Sequence, residues 1–285
     1  MKISEILQTG PSFSFEFFPP RDEKMEAVLA ETLRELEELE PSYVSVTYGA
    51  GGTTRERTHD LVVGIDRDTT MTAMAHLTCA AHTRAELVEI ITRYRDAGIE
   101  NVLCLGGDPP ADLDLPPGEL SYAVELVELV RDIGDFSVGV AAHPEVHPRS
   151  PSRDDDRRIL ARKLEHADFA ITNLFFEAVH YARMMDELAA LGVDKPVIPG
   201  IMPVTNLKQV ARMTELSGGT FPDALAARLA VSDDAEEVRR IGVDAATELC
   251  AALLDAGAPG LHFYTMNRST ATREIYANLG LPLAG

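Results

Sequence analysis

A single glutamate lies within an aromatic segment close to the N-terminus. Glu16 belongs to residues 12–21 (SFSFEFFPPR), where two prolines end the predicted strand. Carboxylates are seldom buried without a partner or a role. A carboxyl group that loses water on burial keeps its proton to a higher pH, which is the property of a general acid. The segment therefore predicts a catalytic acid, and the alternative is a side chain that points to solvent from an edge strand.

The bulk composition restricts the possible partners. The chain has 285 residues and a formal net charge of -20, which argues against nucleic acid and anionic membranes as partners. An anionic small molecule would need a local basic group. No apolar run approaches the roughly 18 residues of a membrane span, and no signal pattern begins the chain. We therefore expect a cytoplasmic protein.

The cysteines and histidines do not form a recognisable metal site. Cys79, Cys104 and Cys250 are widely spaced, which predicts buried reduced thiols. The chain has no CxxC pair and no HExxH motif. His143 and His147 are separated by Pro144, lack an evident third ligand and cannot share a helix face. No metal is expected.

Apolar runs rich in β-formers alternate with charged, amphipathic segments. Helical segments include 22–40 and 83–97, and in the second Thr83 and Glu86 form a capping-box pattern before a predicted C-cap at Gly98. Residues 106–118 form a long Pro/Gly/Asp loop, and 205–256 predict three helices. About eight strands are predicted, at 12–18, 43–48, 71–77, 101–106, 136–142, 168–175, 196–201 and 260–265. This alternation predicts a TIM (β/α)8 barrel of the α/β class, with residues 1–285 as a single domain; a doubly wound open sheet is the alternative.

Polar groups follow every predicted strand at the end where a TIM barrel carries its active site. A simpler explanation remains for some of them: the glycine-rich turn at 49–52 could only need positive φ, Gly107-Asp108 could only begin a loop, and His76 could be a core histidine. The coincidence across all strands favours one shared site. The groups are Glu16, Thr47 with Tyr48, His76, Gly106 to Asp108, His143 to His147, Asn173, Pro203 with Gln209, and Tyr264 with Asn267 and Arg268.

The chain resembles the methylenetetrahydrofolate reductase family over almost its whole length. The motifs, in the family's order and spacing, are SFEFFPPR (14–21), VSVTYGAGG (44–52), HLTC (76–79), GDPP (107–110), PEVHP (144–148), IPGIMPV (198–204) and LHFYTMNR (261–268). The resemblance implies a TIM barrel that reduces 5,10-methylenetetrahydrofolate to 5-methyltetrahydrofolate and feeds methionine synthesis. It also implies that hydride passes from NADH or NADPH to FAD and then to the folate.

The resemblance assigns roles to individual positions. Glu16 would be the general acid that opens the imidazolidine ring, and Asp108 would bind the pterin beside the flavin. Substrate contacts would be Thr47, Asp108, Asn173, Gln209, Tyr264 and Arg268, with Arg268 as the basic group for an anionic ligand. Flavin contacts would be Thr47, His76, Leu105, Gly107, Asp108, His143, Glu145, His147, Asp156, Arg162 and Lys163.

Several positions depart from the family pattern, mainly around the flavin. Gly106 stands where the family usually has arginine, His143 replaces a tyrosine beside the flavin ring, and Ile159 replaces a polar residue. Asn173 replaces a glutamine that contacts folate, and 165–167 (EHA) stand in place of Ala-Gly-Ala. Two hypotheses follow: FAD binds normally, or hydride passes directly from NADH to the folate.

Other readings of the chain remain. One alternative is a TIM-barrel aldolase or lyase, which would need a Schiff-base lysine at a strand end or a metal cluster. The other is a non-catalytic folate-binding protein, which would not need Glu16. The sequence leaves open NADH against NADPH, the oligomeric state and the preferred polyglutamate length.

Overall fold

The computed structural model describes residues 1–48, 52–107, 118–232 and 234–281, with only the backbone of 52–54, 209 and 216. The strands are β1 Ser12–Phe17, β2 Tyr43–Val46, β3 Ala73–Thr78, β4 Asn101–Leu105, β5 Ser137–Ala142, β6 Phe169–Thr172, β7 Val197–Ile198, β8 Gly200–Ile201 and β9 Gly260–Tyr264. The helices are α1 Ile3–Ile6, α2 Glu23–Glu37, α3 Gly52–Asp68, α4 Arg84–Asp96, α5 Ala123–Ile133, α6 Arg153–His166, α7 Ala178–Ala190, α8 Leu207–Ser217, α9 Asp223–Leu229, α10 Ala235–Asp255 and α11 Thr270–Asn278.

The strands form a closed parallel ring. Their order is β7-β6-β5-β4-β3-β2-β1-β9-β8, and every pairing is parallel. β7 pairs with β6, whereas β8 pairs with β9, and the two are halves of one strand interrupted at Pro199. This interrupted strand joins the two ends of the sheet. The TIM-barrel prediction is therefore confirmed and the open sheet is wrong.

Side chains alternate between the two faces of the barrel wall, as the pleat of a strand requires. The phenylalanines of β1 face the helices, where the ring of Phe15 lies 5.6 Å from that of Tyr276 on α11. The opposite face of β1 carries Ser14 and Glu16. The contact between the Ser14 hydroxyl and His262 of β9 lies on this face. A separate apolar cluster of Ile3, Tyr43, Met74, Leu103, Phe169, Ile171 and Ile198 fills the barrel interior. The short helix α1 inserts Ile3 into this cluster and closes the bottom of the barrel.

Local sequence signals set several boundaries. Thr83 and Glu86 form the predicted capping box of α4, whose C-cap is Ala97 rather than Gly98. Gly98 follows with φ +85, a conformation that its missing Cβ permits. The three helices predicted in 205–256 are present as α8, α9 and α10. Cys79, Cys104 and Cys250 are free and buried, as predicted.

Two further features are absent from the described residues. No helix among them is both long and apolar enough to cross a membrane. No group of three or more His, Cys, Asp or Glu side chains is arranged there to hold a metal ion.

Candidate active site

Glu16 lies at the C-terminal end of β1, in register with Ser45 of β2 and Tyr264 of β9. Its side chain is 19% exposed. Two buried histidines approach the same carboxyl oxygen, Oε2: His76 Nε2 at 3.6 Å and His262 Nε2 at 3.5 Å. Oε2 is therefore the oxygen of Glu16 that both histidines approach most closely. A carboxyl group at the mouth of a barrel can present a proton to a molecule that binds there.

His76 is an uncharged neighbour of Glu16. Burial lowers the pKa of His76 to about 4; the carboxylate of Glu16 opposes this shift and His262 adds to it. His76 Nε2 makes no hydrogen bond to the described residues. Near neutral pH the imidazole is therefore neutral, and the polar environment of Glu16 does not include a charged His76.

Tyr264 packs beside this group. Its hydroxyl donates to the carbonyl of Thr172 on β6 at 2.5 Å, and its ring meets that of His262 edge-on at 5.5 Å. Burial raises the pKa of Tyr264 well above its usual range. The hydroxyl of Tyr264 is therefore bonded across the barrel through its proton, and it can still accept a hydrogen bond from a bound molecule.

A second group of predicted residues follows β5. The rings of His143 and His147 lie 4.5 Å apart, and burial, with His147 second, lowers the pKa of His143 to about 3. Each carboxylate oxygen of Glu145 accepts a hydrogen bond from Thr220, one from its backbone N–H at 2.7 Å and the other from its hydroxyl at 2.6 Å. The segment after α8 thus lies on the β5–α6 loop.

The predicted positions on α6 are also engaged within the chain. The carboxylate of Asp156 accepts from the backbone N–H of His147 at 3.1 Å and from the Ser150 hydroxyl at 3.1 Å. Lys163 donates to the carbonyl of Ala141 at 2.5 Å, and burial lowers the pKa of its ammonium to about 8. The side chain of Arg162 is exposed.

Sequence reasoning missed Arg157, which organises this loop. The guanidinium is buried; it donates to Glu187 at 2.7 Å, to Asp156 and to the backbone carbonyls of His143, Pro144 and Glu145 at 3.0, 2.8 and 3.1 Å. In the sequence it stands in the charged run 153–158, which gives no sign of burial. Sequence reasoning also gave no role to Ser14, Ser45 or His262, although the period of two in β1, β2 and β9 places them on the inner face with Glu16 and Tyr264.

The remaining predicted residues lie at strand ends. Thr47 donates its backbone N–H to Phe17 at 2.8 Å, and Leu105 ends β4. Gly107 has φ +74, and a Cβ there would stand 2.9 Å from that of Thr78, so glycine is required. The carbonyl of Gly107 accepts from Arg149 at 3.4 Å.

Four further predicted residues complete the set. The Asn173 Oδ1 accepts from the backbone N–H of Leu174 at 2.8 Å, and Arg268 is exposed after β9. Asp108 lies outside the described residues. Gln209 is part of α8, but its side chain also lies outside what the structure describes.

The aldolase or lyase alternative finds little support in this arrangement. A Schiff-base lysine has to reach the barrel mouth with a free amine. The buried Lys163 lies on helix α6 and bonds a carbonyl of β5. The described barrel mouth instead holds the carboxyl group of Glu16.

Comparison with known proteins identifies relatives of high coverage. The sequence profile of the family described as methylenetetrahydrofolate reductase matches residues 2–280. The 5,10-methylenetetrahydrofolate reductase of Escherichia coli K12 is 39% identical over 273 residues, which are 94% of this chain and 90% of that protein. Methylenetetrahydrofolate reductase (NADH) 1 of Arabidopsis thaliana is 33% identical over 98% of this chain, which matches 50% of that protein.

A solved structure shares the fold at low sequence identity. An uncharacterized protein from Clostridium thermocellum, described as binding two copies of 5-methyl-5,6,7,8-tetrahydrofolic acid, has a TM-score of 0.68 at 13% identity, with 98% of each chain covered. At this identity the likeness supports the fold of the chain.

Proposed function

The chain belongs to the methylenetetrahydrofolate reductase family and reduces 5,10-methylenetetrahydrofolate to 5-methyltetrahydrofolate, and we propose that Glu16 supplies the proton for this reaction. Protonation of the folate N10 by Glu16 breaks the bond between N10 and the methylene carbon. An N5 iminium results and accepts hydride at that carbon. The electron pair of the broken bond stays on N10, and Glu16 regains its proton from solvent.

One observation supports this role for Glu16 above the others. The closest approach of both histidine Nε2 atoms is to Oε2, which favours Oε1 as the oxygen that carries the proton to the substrate. A general acid contributes about 10²–10⁴-fold to a rate. The remaining predicted substrate contacts are part of the same proposal: Thr47, Asp108, Asn173, Gln209, Tyr264 and Arg268, with the exposed Arg268 for a carboxylate of the folate tail.

Glu16→Gln tests the acid. We expect a loss of about 10²–10⁴-fold in kcat with the fold retained, because the amide has the same shape and no transferable proton. NADH oxidation with methylenetetrahydrofolate gives kcat, and circular dichroism checks the fold. Glu128→Gln, an exposed site on α5, is the control. A wild-type rate in Glu16→Gln would eliminate the assigned role.

Three of the described flavin positions already make contacts within this chain, which disfavours a resident FAD. A flavin needs polar groups that are free to bind its pyrimidine edge and its phosphates. The side chains of Glu145, Asp156 and Lys163 are all occupied by groups of this chain, and Ile159 is an exposed apolar residue. Among the predicted contacts on α6, Arg162 offers an exposed charge.

We therefore propose that hydride passes directly from the nicotinamide to the folate iminium. A relative whose name specifies NADH, together with a net charge of -20 that disfavours the extra phosphate of NADPH, supports NADH as the donor. Three buried free thiols also support a reducing, cytoplasmic setting.

The visible spectrum of freshly purified protein tests this route. We expect no flavin absorption, and the same kcat with and without added FAD, with NADH preferred over NADPH. Yellow protein that loses its activity when the flavin is removed would contradict direct transfer. That result would leave the role of Glu16 intact.

A further inference from the structure

A buried chain of polar side chains lies directly beneath Glu16. The Ser14 hydroxyl is 2.7 Å from His262 Nδ1, and the other ring nitrogen of His262, Nε2, is 3.5 Å from Glu16 Oε2. Ser14 and His262 are fully buried. In the proton transfer described above, the proton passes through neither residue.

The neighbours of this chain come from β2, β3 and β9. Ser45 of β2 lies 3.5 Å from His262 Nε2, and the ring of Tyr43 stacks on the imidazole at 6.1 Å. Tyr264 packs edge-on from β9 itself, and His76 of β3 faces the same carboxyl oxygen. Because the ring is enclosed on these sides, its orientation is fixed by packing and by its two nitrogen contacts.

The contacts also select a tautomer. A neutral imidazole carries one N–H, and the hydrogen bond at one nitrogen decides which nitrogen has the proton. Ser14 lies closer to His262 Nδ1, at 2.7 Å, than to the carbonyl of Leu261, at 3.5 Å. When the hydroxyl donates to Nδ1, the ring proton is on Nε2, and both Glu16 Oε2 and Ser45 Oγ lie 3.5 Å from that nitrogen.

We propose that His262, held by Ser14, is a positioning residue that fixes Oε2 of Glu16 as a hydrogen-bond acceptor and so places the catalytic proton on Oε1. The proposal rests on Glu16 as the general acid. One tautomer serves both states of the acid, because Oε2 accepts from Nε2–H before and after Oε1 gives up its proton. Catalytic hydrogen bonds often shorten when substrate binds, which is consistent with the 3.5 Å separation here.

Two substitutions at position 262 distinguish the roles of the two ring nitrogens of His262. In His262→Gln the amide nitrogen can occupy the place of Nε2 and donate to Glu16. In His262→Asn the amide reaches only to the place of Nδ1 and Ser14. We expect kcat to fall about 10²-fold in the Asn variant, as for a misplaced catalytic group, and markedly less in the Gln variant. KM for the folate and the Kd for 5-methyltetrahydrofolate by calorimetry should stay within about twofold in both, because no substrate contact is removed.

Ser14→Ala provides a second, smaller change that removes a single oxygen. We expect at least about a tenfold loss in kcat, because the tautomer of His262 is no longer selected. Ser12→Ala is the matched control: Ser12 is buried on the same face of β1, and its hydroxyl has no hydrogen-bond partner among the described residues. Its kcat should equal that of the parent protein.

A double substitution tests whether His262 acts through Glu16. In the Glu16→Gln background, His262→Asn should lower kcat no further than about twofold, because the two residues form one unit. Equal losses in the Asn and Gln variants, a wild-type kcat in Ser14→Ala, or a further large loss in the double variant would each overturn the proposal. Full activity of Glu16→Gln alone would instead remove the proposed general acid, so the two failures are distinguishable.

Discussion

Acid should destabilise this protein through His76, and His76→Gln should remove that effect. Burial holds the pKa of His76 at about 4 in the folded chain, against an ordinary value near 6.5. In the unfolded chain the ring takes up a proton as the pH falls below about 6.5, while the folded chain does not until about pH 4. The unfolded state therefore binds more protons in this window, and the free energy of unfolding decreases as the pH falls through it.

The magnitude follows from the two pKa values. At pH 5 the unfolded ring is almost fully protonated and the folded ring almost fully neutral, so the folded state loses about 2 kcal/mol relative to pH 8. Below pH 4 the loss levels off at roughly 3 kcal/mol, since both states are then protonated. Domains of this kind are stable by about 5–15 kcal/mol, so the effect is large enough to measure.

Urea unfolding at pH 8, 6 and 5 measures it. We expect the difference in unfolding free energy between pH 8 and pH 5 to be about 2 kcal/mol smaller in His76→Gln than in the parent protein. His166→Gln is the control, because that ring is exposed and keeps its water in both states. The same pH dependence in the parent and in His76→Gln would refute the reasoning, whatever the effect of the substitution at pH 8.

Two further predictions concern packing around the barrel mouth. Arg157→Met should cost about 3–5 kcal/mol in urea unfolding, because it leaves the buried carboxylate of Asp156 and three loop carbonyls without the guanidinium, although Glu187 keeps Arg153 and Arg183. Arg162→Ala at an exposed site should stay within about 0.5 kcal/mol, and equal effects would contradict the assigned role. Gly200→Ala should cost about 1–3 kcal/mol, because its Cβ would stand 2.3 Å from the Thr172 carbonyl and 2.6 Å from the Tyr264 hydroxyl. Thermal unfolding measures this effect, and Gly64→Ala on α3 is the control, because a Cβ there meets nothing within 4 Å and the substitution should be neutral or stabilising. A Gly200→Ala variant as stable as the parent protein would show that the strand interruption tolerates a side chain.

The two groups of site residues differ in how far the sequence could define them. Glu16 could be singled out because its strand alternates small polar and aromatic residues, a local pattern that places it on one face. The contacts of the residues after β5 could not be read from the sequence. Glu145, Asp156 and Lys163 have the side chains of a cofactor site, yet each is bonded within this chain. Their partners, such as Thr220, are distant in sequence, and no local pattern reveals such pairs.

The sequence by itself determined the eight strand segments, the barrel and the place of Glu16 at a strand end, because hydrophobic periodicity and strand–helix alternation are local properties. Only the tertiary structure decided that the last strand segment before β9 breaks at Pro199 so that its halves close the ring. Only the tertiary structure showed that His262 of the last strand, β9, lies next to one carboxyl oxygen of Glu16 on the first strand, β1. Contacts between residues so far apart depend on how the barrel closes, and closure is a property of the whole chain.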